Sequence, residues 1–217
     1  MKQLKSSYTA TKNTLLAMIK DQIRFNNTIA SFDAINAQDP NKVTVDGIQQ
    51  PKELIYAQRM TEMLNRYTPE ASESLQLATR AQHIKRWAIP RNDFPITKSG
   101  YLQWRTKLKS FHAEIAAKVL EDNEYDEETI EKVSVLLKKE HLRANPDTQT
   151  LEDVIVLSFL EHDLEAFVEK YSDYPEEKFL TILRKSYLKM SDKGRAAALS
   201  LIAIPEHLLP VVLKAVA

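Results

Sequence analysis

Apolar residues recur at three- and four-residue intervals along almost the whole chain, and this helical period constrains the fold more than any other feature. Apart from Pro210, the prolines fall at the edges of the periodic segments or between them, where a missing N–H costs least. The spacing predicts helices over roughly 9–36 (with a break near Asn26-Asn27), 51–67, 69–87, 99–122, 127–143, 150–171, 176–189, 193–201 and 205–216. The one strand-and-turn signal, Val43-Thr44-Val45-Asp46-Gly47, predicts a short β-hairpin near 43–49. An all-α domain over 25–217 is therefore expected, preceded by a helical extension over 1–24.

Composition narrows the chemistry. A chain of 217 residues can bury a substantial core, and no internal repeat or low-complexity linker divides it. Thirty Lys and Arg balance thirty Asp and Glu, which disfavours nucleic-acid binding driven by net charge. The lack of Cys removes thiol nucleophiles and Cys-zinc sites, and three Gly are too few for a Gly-rich phosphate loop. The apolar patch Leu15-Leu16-Ala17-Met18-Ile19 is too short to cross a bilayer, so a cytoplasmic protein with no membrane partner is expected.

The informative residues are polar ones on apolar helix faces. Asp153 shares a face with Leu157, Leu160 and Leu164, and Glu161 lies between Val154 and Val168. A buried carboxylate needs a cation, a metal or several donors, because an isolated charge in the interior costs several kcal/mol. The stripe Ile130-Val133-Leu137 continues into Glu140 and His141, which are expected to lean inward. His112 follows Leu108 by four and precedes Ile115 by three, and His83 shares a side with Gln76, Thr79, Arg80 and Trp87. Singly, such residues are most often satisfied core groups. Together, His83, His112, Glu140 or His141, and Asp153 form a nitrogen-and-carboxylate set suited to a divalent metal ion between packed helices, where it would activate water.

Between Arg80 and Lys109 the chain concentrates cations and aromatics. Arg86, Arg91 and Arg105 are candidates to fork onto phosphate oxygens, with Trp87 or Trp104 stacking on a base. Arg91 lies in the loop joining the His83 and His112 helices, and Lys107 and Lys109 are expected to face solvent.

The order Ala78-Thr79-Arg80-Ala81-Gln82-His83-Ile84, then FHAEIAAKVLEDNEYDEETIEKVSVLLKKEHL from Phe111, then the acid in Leu151-Glu152-Asp153, resembles the HD-domain metal-dependent phosphohydrolases. The resemblance implies a helical bundle and a divalent metal that hydrolyses nucleotide phosphate esters. It matches Asp153 to the distal Asp, and by position it places His83 and His112 among the ligands. The His-Asp pair itself falls on Gln82-His83, and Tyr56 and Arg59 stand where a first His is expected. From about Phe25 onward the stretches SFDAINAQDPN, AQHIKRWAIPR, GYLQWRTKLKSFHAE, LEDVIVLSFLE and KMSDKGRAAAL resemble a domain-of-unknown-function family, the one numbered forty-two-oh-two. Lys189-Met190-Ser191-Asp192-Lys193 also looks like the lysine-rich signature of class I synthetases. No alternating strands and helices accompany it, so Ser191 is expected to cap a helix instead.

These observations predict an HD-like bundle that acts on, or only binds, a small nucleotide-like phosphate. In the enzyme reading His83, His112 and Asp153 hold metal, Glu140 and Asp153 are catalytic, and Arg86, Arg91, Arg105 and Trp87 bind substrate. In the alternative the chain is a non-catalytic ligand-binding or protein-interaction module, its amphipathic start docking on a partner or a second copy.

Overall fold

The computed structural model describes residues 19–171 and 175–216. The expected helix before Ile19, and with it most of the expected 1–24 extension, lies outside the described residues. The protein is all-α, with a two-stranded hairpin as the sheet among the described residues. The chain divides into two compact units, Met1–Leu142 and Arg143–Ala217, a division that the periodicity alone does not mark. No helix among the described residues is long and apolar enough to cross a membrane.

In the first unit, α1 (Gln22–Asn36) is capped by Asp21, which accepts from Arg24 N, and it runs through Asn26-Asn27 without the expected break. Its inward stripe is Thr28, Phe32 and Asn36, each fully buried. Burying Phe32 is worth about 1.5–3 kcal/mol. The hairpin follows, β1 (Lys42–Val45) pairing antiparallel with β2 (Ile48–Pro51). Asp46 and Gly47 form its two-residue turn, both at positive φ, the geometry that matches the twist of the strands.

Helix α2 (Lys52–Tyr67) starts after Pro51, which offers no side-chain cap. Asp39, fourteen residues before Glu53 and buried, supplies one: its Oδ2 accepts from Glu53 N at 3.0 Å, and its Oδ1 accepts from Asn41 N and Nδ2. Helix α3 (Glu73–Ala81) is capped by Ser72 and is shorter than expected. The backbone turns to a left-handed Lys85 (φ 52°), whose N–H donates to Asn36 Oδ1 at 3.0 Å. Arg80 ties α1, α2 and α3 together by donating to Asp33 Oδ1 and Oδ2 at 2.7 and 2.5 Å and to Thr61 Oγ1 at 3.2 Å.

Helix α4 (Lys98–Asp122) is capped by Thr97 and packs on α5 (Glu127–Lys138). Helix α5 ends five residues before the expected boundary, because Lys139 turns left-handed and Glu140 N closes on the Val135 carbonyl. Extending its apolar stripe to Glu140 and His141 therefore fails, and both are exposed.

The second unit contains α6 (Pro146–His162), α7 (Leu164–Lys170), α8 (Glu176–Tyr187), α9 (Asp192–Ser200) and α10 (Leu209–Val216). Asn145 caps α6, with Pro146 at the first position where its missing N–H is harmless. The single expected helix over 150–171 divides at Asp163. Pro210 falls in the first turn of α10, which explains how a proline sits inside that periodic segment.

Candidate functional site

The first unit gathers polar groups where α2, the turn after α3 and α4 meet. Asp39 fixes the start of α2 and with it Glu53, which is buried at 7% exposure. Asn36 holds the turn at Lys85, and that turn presents His83. His83 Nδ1 lies 3.3 Å from Glu53 Oε2, and Arg86 Nη1 donates to its Nε2 at 3.1 Å. A guanidinium only donates, so Nε2 carries the lone pair and the imidazole proton sits on Nδ1, facing the carboxylate. Tyr56 stacks on the His83 ring at 4.1 Å between centroids and 13° between planes.

His112 projects from α4 towards the same place, with its ring centroid 5.9 Å from that of His83. Its Nδ1–H donates to the Ile84 carbonyl at 2.8 Å, and its Nε2 is buried with no hydrogen-bond partner among the described residues. Both imidazoles are held neutral. Burial pushes the His83 pKa well below its ordinary value, helped by the Arg86 charge, by the neighbouring His112, with which it cannot share a second proton, and by the charges of Arg105 and Lys139. Burial likewise lowers that of His112 to about 3, against the Ile84 hydrogen bond and with the help of Arg86 and Arg105.

Two arginines border the pair. Arg86 lies 3.9 Å from Glu53 Oε1 and stacks over Trp104 at 4.8 Å from the ring centroid. Trp104 is fixed in turn by its Nε1–H, which donates to the Ile89 carbonyl at 2.9 Å. Burial and the charge of Arg105 lower the Arg86 pKa, while Glu53, Tyr56 and Tyr101 oppose the change. Arg105 is half-buried and has no carboxylate partner among the described residues. One edge of the cluster thus carries two guanidinium groups, of which Arg86 lies beside the Glu53 carboxylate and Arg105 does not.

The other expected residues lie elsewhere. Trp87 is half-buried in a short 3₁₀ turn (Arg86–Ala88). Arg91 spends two donors inside its own loop, on the Phe94 and Pro95 carbonyls at 2.9 and 2.8 Å, so it clasps the loop. Asp153 belongs to the second unit, where it is 1% exposed. Its Oδ1 accepts from Ser191 N at 2.8 Å and from Gln149 Nε2 at 3.2 Å, and its Oδ2 accepts from Ser191 Oγ at 2.5 Å. Ser191 Oγ accepts in turn from Gly194 N at 3.0 Å, so a carboxylate from α6 completes the cap of α9. The lysine-rich stretch at 189–193 is therefore a capped helix start. Glu161, the other acid on that face of α6, accepts from Ala203 N at 3.0 Å.

A metal ion implied by the HD resemblance needs at least three convergent donors. Among the described residues no group of three or more His, Asp or Glu is placed to hold one. His83 and His112 supply two imidazoles beside two guanidinium groups, surroundings that oppose a further cation. The residues present do not fit the metal.

Two members of this cluster, Glu53 and Tyr56, lie outside the candidate residues read from the sequence, and a third, Trp104, was one of two alternatives there. Glu53 was legible by the rule that singled out Asp153: it heads the stripe Glu53, Ala57, Met60 and Leu64, all buried. Tyr56 occupies a position already marked as replacing an expected His, and Trp104 is the second of two candidate aromatics. Away from the cluster, an open groove of about 660 Å³ runs along α1 and α2, lined by Phe25, Asn26, Ile29, Asp33, Thr61 and Asn65. Its one acid among these, Asp33, is already paired with Arg80.

A family model described as Domain of unknown function (DUF4202) matches residues 26–212. The chain belongs to this family. The match spans both units, so the family's domain takes in the His83 cluster and the capped start of α9 together. No curated protein and no solved structure matches the chain.

Proposed function

We propose that the His83 cluster binds a small phosphorylated molecule, on an HD-like helical scaffold whose metal-ligand positions have been given over to a Glu53–His83–Arg86 chain. The observation that carries this reading is Arg105, a half-buried guanidinium without a carboxylate partner among the described residues, set beside Arg86 and two neutral imidazoles. Two guanidinium groups suit the several oxygens of a phosphate, and Trp104, stacked on Arg86, offers an aromatic edge for the group the phosphate carries. Tyr56 on His83, at the position where the HD resemblance expects a first His, supports a remodelled site in the same place. Phosphate esters are abundant in the cytoplasm, the setting this reading assigns.

The test is thermal unfolding of the full chain with inorganic phosphate, AMP and p-nitrophenyl phosphate, with and without EDTA. A ligand at one hundred times its Kd stabilises by about 2.7 kcal/mol, a readily measured shift. Stabilisation that survives EDTA and is lost in Arg105→Gln and Arg86→Gln is expected. No shift with any phosphate compound would overturn the reading, and a shift that requires a divalent ion would restore the metal site. Tight binding of single-stranded RNA with a steep salt dependence would instead favour a nucleic-acid interface.

A further inference from the structure

The arrangement around His83 does more than bind an anion. Its Nε2 lone pair points at the guanidinium that would hold a phosphate, its Nδ1 faces a buried carboxylate, and Tyr56 fixes the plane of the ring. The ring is still reachable, with 18% of the side chain exposed, as is Arg86 with 21%. A nucleophile needs an available electron pair, a fixed direction of attack and a partner for the charge that develops on it. A neutral imidazole oriented by a carboxylate on its far nitrogen meets the last two requirements, and it meets the first once Arg86 releases the Nε2 lone pair.

We propose that His83 is a phosphoryl-accepting nucleophile for phosphate monoesters, a proposal that rests on the phosphate-site reading above. Arg86 reaches Nε2 from three residues along the chain. Turning its guanidinium onto the phosphate oxygens frees the lone pair and brings phosphorus opposite it. Nε2 attacks phosphorus, an N–P bond forms, and the ester P–O bond breaks with its electron pair passing to the leaving oxygen. The Nδ1 proton stays between the ring and Glu53, whose negative charge balances the imidazolium character of the phosphorylated ring. Water then attacks phosphorus and the N–P bond breaks, its pair returning to Nε2. Inorganic phosphate leaves, and the proton lost by the water passes to solvent. Arg86 and Arg105 neutralise the equatorial oxygens in both steps. His83 is the catalytic residue in this scheme, and Glu53 is a positioning residue that sets the tautomer.

The experiment uses the full chain with p-nitrophenyl phosphate, whose leaving group departs as an anion and needs no proton donor. Rapid alkaline quench, intact mass and peptide mapping should find a phosphoryl adduct on His83 of the wild-type chain that is stable to alkali and lost in acid, the signature of an N–P bond. The adduct should be absent in His83→Gln. In Glu53→Gln its formation should slow at least tenfold while binding of inorganic phosphate, read by thermal shift, is kept. Phosphate binding without an adduct on wild-type His83, or an adduct that persists in His83→Gln, would overturn the proposal and leave the binding site standing. Absence of phosphate binding altogether would overturn both. Mapping on the wild-type chain keeps the test decisive even where a variant fails to fold.

Discussion

Replacing Asp153 with Ala should unfold the second unit at a markedly lower temperature, for reasons that have nothing to do with metal. The carboxylate is buried and accepts two hydrogen bonds from Ser191, from the backbone N–H at 2.8 Å and from the hydroxyl at 2.5 Å. Hydrogen bonds to a charged group contribute about 1.5–3 kcal/mol each. Its removal also strands the Ser191 N–H and releases the hydroxyl from the orientation in which its lone pair meets Gly194 N. A negative charge at the start of α9 is lost as well, worth about 0.3–1 kcal/mol against the helix dipole. Relaxation and water entry return part of this, leaving a net loss of about 3–4 kcal/mol. For a unit of this size each kcal/mol moves the midpoint by about 4–8 °C, so a fall of at least about 12 °C is expected. Differential scanning calorimetry of the full chain, run with and without EDTA, measures it. An unchanged midpoint in Asp153→Ala would refute the capping account. Wild-type protein that loses the same stability on adding EDTA would show that Asp153 holds a metal ion after all.

Other substitutions probe separate parts of the structure. Gly194→Ala would place a Cβ 2.6–2.9 Å from the Asp153 carboxylate, so it should destabilise by about 1–3 kcal/mol in urea unfolding; a neutral result would mean that Asp153 does not approach α9 this closely. Gly47→Ala meets nothing within 4 Å and costs only the strain of positive φ, about 1–2 kcal/mol by the same assay, and a loss well above that range would reveal a contact the turn does not show. His112, neutral when folded, takes up a proton below its unfolded pKa near 6.5 only after unfolding, so stability is full above that pH and falls as pH drops towards its folded value of about 3. The slope attributable to His112 approaches about 1.4 kcal/mol per pH unit, and a His112→Gln variant with an equally steep acid limb would contradict its being held neutral.

Much of the fold was legible because helical periodicity is a local property. The hairpin needed only the Asp46-Gly47 turn, and the start of α9 needed only Ser191 three residues before Gly194. Helix ends were harder to place, since they depend on caps and left-handed residues supplied from afar. Lys85 is held by Asn36, and α5 stops at a left-handed Lys139, which turned Glu140 and His141 out to solvent.

The candidate site divides along the same line. The apolar stripes marked His112 and Asp153 as polar residues that interrupt them, while His83 was marked by a helix side shared with Trp87, and Arg86 and Arg105 by the local concentration of cations and aromatics. Which of them meet was set by tertiary structure. His83 and His112 converge with Glu53, Tyr56 and Trp104, while Asp153 is consumed by Ser191. A sequence specifies each side chain's direction from its own helix, but a hydrogen bond requires two helices to place their atoms within about 3 Å, and that distance is settled only when the helices pack.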